Sequence, residues 1–289
     1  MKGIILAAGS GTRLSPATTP ISKILLPIFD RPMIYYPLSI LMTASIRDIL
    51  IITNEKDADN FKRTLGDGSQ YGISISYDIQ YVQRGISDAF IIAEEWIGCD
   101  EVVLILGDNI FYGDSLKTSL LEASSSEKSA VIFGYQVSDP KRFGVVEFDE
   151  KLNVVSIEEK PENPKSDYAA IGLYYYRGDV CSKAKTLEPS KRGELEITDL
   201  NNIYLSNDDL SVVLLKNDIK WVDAGTFDSI LEASNFIFEE EKKIGKKILC
   251  PETTACEMGF VPKNTMIEWI KNKDGSDYYK SILEELSVR

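Results

Sequence analysis

The chain has 289 residues, 44% of them hydrophobic and 27% charged, with a formal net charge of −13, ample apolar material for one large core or two modest ones. This acidic balance argues against non-specific nucleic-acid binding, which depends on clustered Lys and Arg, but it leaves open small anions gripped by a few cations in one cleft. No histidine occurs anywhere, which removes Ser–His and Cys–His nucleophiles, His-ligated metals and imidazole bases, and leaves carboxylates, Lys, Arg, backbone donors and hard metals.

In chain order, strand patterns over 3–7, 48–53, 73–79 and 101–106 alternate with helical patterns over 33–43, 56–65 and 87–96, where apolar residues recur at three and four. The alternation predicts right-handed βαβ units and an α/β, Rossmann-like fold, with a mixed, mainly parallel sheet flanked by helices. A helix over 115–124 precedes a strand over 129–136. Strands over 144–148, 154–158 and 171–176, joined by turn-rich segments such as 162–165, predict extra β structure over one edge or mouth of the first sheet. Helical patterns return at 193–205 and 226–243, separated by apolar strands at 210–215 and 219–222, and 266–286 reads as a pair of amphipathic helices. Apolar runs such as 102–106 are far short of the ~20 residues of a membrane span. The chain start lacks the apolar stretch and cleavage site of a signal peptide, so a cytoplasmic protein without a membrane partner is expected. Cys99, Cys181, Cys250 and Cys256 are scattered and read as ordinary thiols.

The first strand runs into Ala7-Ala8-Gly9-Ser10-Gly11-Thr12-Arg13. Gly9 and Gly11 let the backbone turn sharply and approach a ligand. Free N–H groups there can form an anion nest reinforced by Arg13 and Lys23, and a tight turn beside two surface cations is the competing reading. The segment lacks the Lys-[Ser/Thr] ending of a P-loop, and Leu14 stands where a dinucleotide fingerprint has its third glycine. The prolines of Ser15-Pro16-Ala17-Thr18-Thr19-Pro20 predict extended chain beyond it. Asp108 follows an apolar strand, at the edge where open α/β sheets bind ligands, and Asp223 follows another. Together they can hold Mg²⁺, or each can merely cap a turn. Glu159 and Lys160 end a strand on alternate faces and reach one ligand only if the strand twists or bulges there. Tyr174 and Trp221 read as core aromatics.

Gly9-Ser10-Gly11-Thr12-Arg13-Leu14 followed by Lys23-Ile24-Leu25-Leu26-Pro27 resembles the signature of the sugar-1-phosphate nucleotidylyltransferases. The match continues through Leu106-Gly107-Asp108-Asn109, Arg142-Phe143-Gly144, Glu158-Glu159-Lys160-Pro161 and Trp221-Val222-Asp223-Ala224-Gly225-Thr226. Its pattern is most similar to the short, tetrameric glucose-1-phosphate thymidylyltransferases. The resemblance implies a catalytic domain with sugar-binding insertions over 1–240, and a C-terminal helical extension over 241–289, packed on the same domain and involved in assembly. It implies nucleotidyl transfer from a pyrimidine nucleoside triphosphate, dTTP first, to glucose-1-phosphate or a modified hexose-1-phosphate. Mg²⁺ on Asp108 and Asp223 and a homotetramer without nucleic-acid partners are likewise implied. So are the site roles: Ala8, Gly9, Ser10, Gly11 and Thr12 cradle the nucleotide, Gln80 and Gly85 meet its base, and Arg13 and Lys23 meet its phosphates. Asn109, Gly144 and Glu159 contact the sugar and Lys160 its phosphate. A UTP- or CTP-dependent enzyme and a non-catalytic nucleotide-sensing homologue are the alternatives. Joint retention of Arg13, Lys23, Asp108, Lys160 and Asp223 favours catalysis.

Several positions depart from the usual thymidylyltransferase pattern. Ala8 replaces glycine, Ile24 glutamine, Asp114 histidine and Ile171 threonine, and Tyr81-Val82-Gln83-Arg84-Gly85-Ile86-Ser87-Asp88 replaces Pro-Ser-Pro-Asp-Gly-Leu-Ala-Gln. Exchanging polar for apolar groups near ligands predicts a preference shifted from plain glucose and dTTP.

Overall fold

A computed structural model describes residues 1–273 and 275–287. Its strands are β1 (Lys2–Ala7), β2 (Pro27–Ile28), β3 (Arg31–Pro32), β4 (Asp48–Thr53), β5 (Ser74–Ile79), β6 (Val102–Leu106), β7 (Asn109–Tyr112), β8 (Ala130–Gln136), β9 (Gly144–Phe148), β10 (Val154–Glu159), β11 (Tyr168–Tyr176), β12 (Leu210–Leu214) and β13 (Lys220–Asp223). Its helices are α1 (Tyr35–Thr43), α2 (Ala58–Leu65), α3 (Asp88–Ile92), α4 (Glu94–Ile97), α5 (Leu116–Ser124), α6 (Val180–Ala184), α7 (Ile197–Ser206), α8 (Phe227–Ile244), α9 (Pro251–Glu257), α10 (Lys263–Lys271) and α11 (Asp277–Ser287).

β5, β4, β1 and β6 lie side by side and parallel, and β11 runs antiparallel along β6. β8 and then β12 extend the sheet beyond β11. At β11 the sheet forks: residues 169 and 170 pair with β9, whereas residues 173–176 pair with β6, and 171 and 172 stand in the gap. The extra β structure therefore continues the first sheet at its edge. Side chains alternate along the central strands. Ile5, Ile49, Ile51 and Ile105 enter one core, and Ile4, Leu50, Ile52 and Leu104 the other. With both faces covered, these strands read as continuous apolar runs. α1 is buried from Tyr35 to Met42, packed against α9 and the sheet, which explains why it is apolar on all sides.

The 87–96 helix divides at Ala93 into α3 and α4, and the 193–205 helix begins only at Ile197. The 266–286 pair is α10 and α11, with residue 274 between them outside the described residues. α8 runs unbroken through residue 240, and α9, α10 and α11 contribute Ala255, Met266, Ile270 and Ile282 to the core that holds Ile5. Gly72 (φ 69°) ties this segment to the sheet, since a Cβ there would lie 2.6 Å from the Phe260 carbonyl oxygen. Gly72→Ala combines a left-handed backbone with a clash against main chain. It is expected to destabilise the protein by about 2–3 kcal/mol, read as a lowered urea midpoint at unchanged slope. No helix among the described residues is long and apolar enough to cross a membrane.

Candidate active site

The candidate side chains gather where the parallel strands end and the sheet forks. β1 ends at Ala7, and Gly11 takes φ 63°, which glycine adopts freely, to start a single 3-10 turn at Thr12–Leu14. Beyond the strand the first backbone bond in this segment runs from Leu14 N–H to Gly11 C=O at 2.9 Å, leaving the preceding amides outside any ladder. Thr18 Oγ1 donates to the same carbonyl at 2.9 Å and Thr18 N–H to Leu14 C=O at 3.3 Å. The 15–20 segment thus folds back on the loop in turns instead of running extended, because a proline restricts only the residue before it, here Ser15 (ψ 142°).

Lys23 opens a second 3-10 turn, capped by Ser22, whose own N–H donates to the buried Asp57 at 3.0 Å. Its stem passes Gly9, where a Cβ would lie 3.5 Å from Lys23 Cε, and its Nζ pairs with Asp108 Oδ2. Asn109 Nδ2 donates to the other Asp108 oxygen at 3.0 Å. Two short strands then bring in the second carboxylate: β7 pairs with β13 so that Asn109 faces Asp223, and Ala224 N–H donates to Asp108 C=O at 2.9 Å. Arg13 rests on Gly225, where a Cβ would come within 2.9 Å of Nη2 and 3.1 Å of Asp223 Oδ1.

The two carboxylates differ in their electrostatics. Burial works to raise the Asp108 pKa, but the Lys23 charge and the hydrogen bonds from Lys23 and Asn109 outweigh it and hold it below the usual carboxylate range. Asp223 is pushed up, by burial first and by the Asp108 charge second, against the opposing pull of Lys23, Arg13 and Arg142.

Arg13, Asp108, Asn109, Arg142 and Asp223 border a cavity of about 380 Å³, which Lys23 meets only through its pair with Asp108, within the range of small-molecule sites. Gln80 enters it from the end of β5, and Glu159 and Lys160 from the end of β10 across the sheet. Lys160 has φ 46°, and its N–H donates to Phe143 C=O at 3.0 Å. This left-handed residue is the twist that turns Lys160 to the same cavity as Glu159. Its Nζ lies 3.2 Å from Glu159 Oε1, and Thr198 Oγ1 donates to Glu159 Oε2 at 2.6 Å. Gly144 keeps room for that pair, since a Cβ there would lie 3.1 Å from Thr198 Oγ1. Ala8, Ser10, Gly11 and Thr12 shape the turn without lining the cavity.

Some sequence expectations need correction. Gln80 lines the cavity with its amide nitrogen already engaged, since Nε2 donates to Gly85 C=O at 3.2 Å and Asp88 Oδ2 at 2.9 Å. Gly85 (φ 100°) is required by protein packing, since a Cβ would come 2.6 Å from Leu195 O. Trp221 is more than a core aromatic: its Nε1 donates to Asn109 Oδ1 at 2.7 Å while its ring packs edge-on to Tyr135 and Phe143. Of the departures from the family pattern, Ile24 is buried beneath Gly107 and Asp114 lies away from the cavity, so neither side chain can read a ligand there. Ile171 does line it. Gly172, beside it in the fork, carried no signal in the sequence, yet a Cβ there would lie 2.7 Å from Asn109 Oδ1.

A glycine turn, two cations and paired carboxylates at the carboxyl edge of a Rossmann-like sheet define a nucleotide-handling α/β transferase. The nucleotidyl transferase family matches residues 2–240, and the chain belongs to that family. Within it the chain stands with the glucose-1-phosphate thymidylyltransferases. It is 51% identical over 286 residues to that of Neisseria meningitidis, covering 99% of each chain, and 48% identical over 286 residues to that of Mycobacterium tuberculosis, again covering 99% of each. A crystal structure of a UDP-glucose pyrophosphorylase complexed with UDP-glucose superposes with a TM-score of 0.73 at 25% identity, covering 83% of this chain and 98% of that one.

Proposed function

We propose that this enzyme transfers a thymidylyl group from dTTP to glucose-1-phosphate, giving dTDP-glucose and pyrophosphate. The observation that carries this reading is the convergence of Arg13, Asp108 and Asp223 on a cavity that also takes Lys160 and Glu159, with Lys23 paired to Asp108. An oxygen of the sugar phosphate attacks the α-phosphorus, the bond to the β-phosphate oxygen breaks, and pyrophosphate leaves with that electron pair. The nucleophile is already ionised at neutral pH, so no general base is needed, in keeping with a chain that has no histidine.

Catalysis then rests on aligning two anions and neutralising their charge. Arg13 and Lys23 bind the triphosphate beside the glycine turn, and Lys160 holds the sugar phosphate while Glu159, Asn109 and Gly144 receive the sugar. Asp108 and Asp223 suit Mg²⁺: both offer hard oxygens, and the strain of Asp223 beside Asp108 is what a divalent cation relieves. When bound, Mg²⁺ would supply charge neutralisation on the phosphates. Pyrophosphate release across a panel of dTTP, UTP and CTP with several hexose-1-phosphates tests the reading. The dTTP and glucose-1-phosphate pair should turn over best, against the shifted preference expected from the departures in the sequence, and a better pair or silence across the whole panel would reject the reading.

Trp221→Phe removes one donor to Asn109 but keeps an aromatic ring edge-on to Tyr135 and Phe143. The expected outcome is a KM for the sugar phosphate raised about fivefold, the worth of one neutral hydrogen bond, with kcat and melting temperature little changed. The 241–289 extension is proposed to serve assembly into a homotetramer, together with the exposed Phe227, Leu231 and Phe238 that precede it on α8 as an apolar face. Solution mass tests it.

A further inference from the structure

Gln80 follows β5 into the cavity, with Gln83 beyond it tied to the Ala8 carbonyl at 2.9 Å, and the orientation of Gln80 is not free. Its amide nitrogen faces two groups that can only accept, the Gly85 carbonyl (3.2 Å) and the Asp88 carboxylate (2.9 Å). Turning the amide over would set its carbonyl oxygen against both. Asp88 is 1% exposed and is itself fixed, because its second oxygen accepts from Arg84 Nη2 at 2.6 Å. The NH₂ end is therefore locked toward the protein, and the atom that Gln80 can present to the cavity is Oε1, an acceptor.

We propose that the Arg84–Asp88 pair sets the base specificity of the enzyme by locking Gln80 as an acceptor. An acceptor at that point takes a base with a ring N–H, the N3–H of thymine or uracil. It rejects cytosine, whose N3 is itself an acceptor. Asp88 is thus a positioning residue that acts through Gln80. The inference rests on the proposed pyrimidine nucleotide site and selects among its possible occupants. A mismatch of this kind sets two lone pairs against each other in a partly desolvated pocket, which polar sites discriminate strongly.

The test measures Kd for dTTP and dCTP by calorimetry on the full chain, so that it reads binding whether or not turnover is seen. The wild type is expected to prefer dTTP by about 10²-fold or more. Asp88→Asn keeps the shape but adds a donor. Arg84 can only donate and claims the new amide's oxygen, which leaves the Asn NH₂ toward Gln80 and favours the flipped amide. The dTTP/dCTP preference is then expected to fall at least tenfold, a change of ratio that general loosening would not produce. An unchanged ratio in folded Asp88→Asn overturns the proposal. Should that variant not fold, dTTP methylated at N3 decides the matter on the wild type: at least tenfold weaker binding supports a ring N–H reader, and binding equal to dTTP overturns it. Absence of pyrophosphate release despite selective dTTP binding would instead count against the catalytic reading and leave this one standing.

Discussion

Lys23→Met is expected to lower pyrophosphate release at saturating substrates by about 10³-fold or more, the scale seen when a preorganised charge is removed from a reacting phosphate or oxyanion site. The expectation follows from how firmly the side chain is placed. The Ser22 cap and its bond to Asp57 fix the turn, Gly9 gives the stem a path, and Asp108, which lines the cavity, pairs with the ammonium. A uniform binding role would show as a raised KM at unchanged kcat, whereas a charge that matters chiefly in the transition state lowers kcat itself. Stability has to be read alongside, because the variant leaves Asp108 without its cation, and breaking a buried pair costs about 3–5 kcal/mol. Lys23→Met/Asp108→Asn removes both charges and should recover most of that loss while staying inactive. Near-normal turnover by either folded variant would overturn the assignment.

The apolar runs of β1, β4 and β6 were legible because both faces of a parallel sheet are buried, and the long helices because their apolar residues recur at helical spacing. α9 escaped notice because its Pro-Glu-Thr-Thr-Ala-Cys-Glu sequence shows no apolar period. Its start at Pro251 is visible only once the preceding chain is known to be extended. The glycine turn, Lys23 and Asp108 stand out because each follows a clear strand or a clear break. What could not be read was pairing at a distance. β7 and β13 are four residues each, separated by over a hundred, and their ladder is what sets Trp221 on Asn109 and Asp223 beside Asp108. The left-handed Lys160 and the lock on Gln80 are of the same kind: local sequence offers the groups, and only tertiary contact decides which atoms face the ligand.

Asp223→Asn is expected to abolish most activity while making the protein more heat-stable. Its carboxyl is pushed up in the folded state by burial and by Asp108. A carboxyl that binds its proton more tightly when folded opposes folding at pH values above its ordinary pKa. The amide removes that opposition, so the melting temperature should rise, and the gain should vanish at acid pH where the native carboxyl is already neutral. Asp108 has the opposite sign. Its folded pKa is depressed, so its contribution to stability is present above the ordinary carboxylate pKa and is lost as pH falls through the folded value. Asp108→Asn should accordingly lower the melting temperature at pH 7. Both variants lose half of the proposed Mg²⁺ site, and kcat should fall about 10²- to 10³-fold with a higher Mg²⁺ requirement. Chelation of the wild type should stop turnover, and Mg²⁺ should restore it. A destabilised Asp223→Asn that keeps its turnover and Mg²⁺ dependence would show that the pair is structural. Opposite thermal shifts with shared loss of activity are the signature of two carboxylates held together for a cation rather than for the fold.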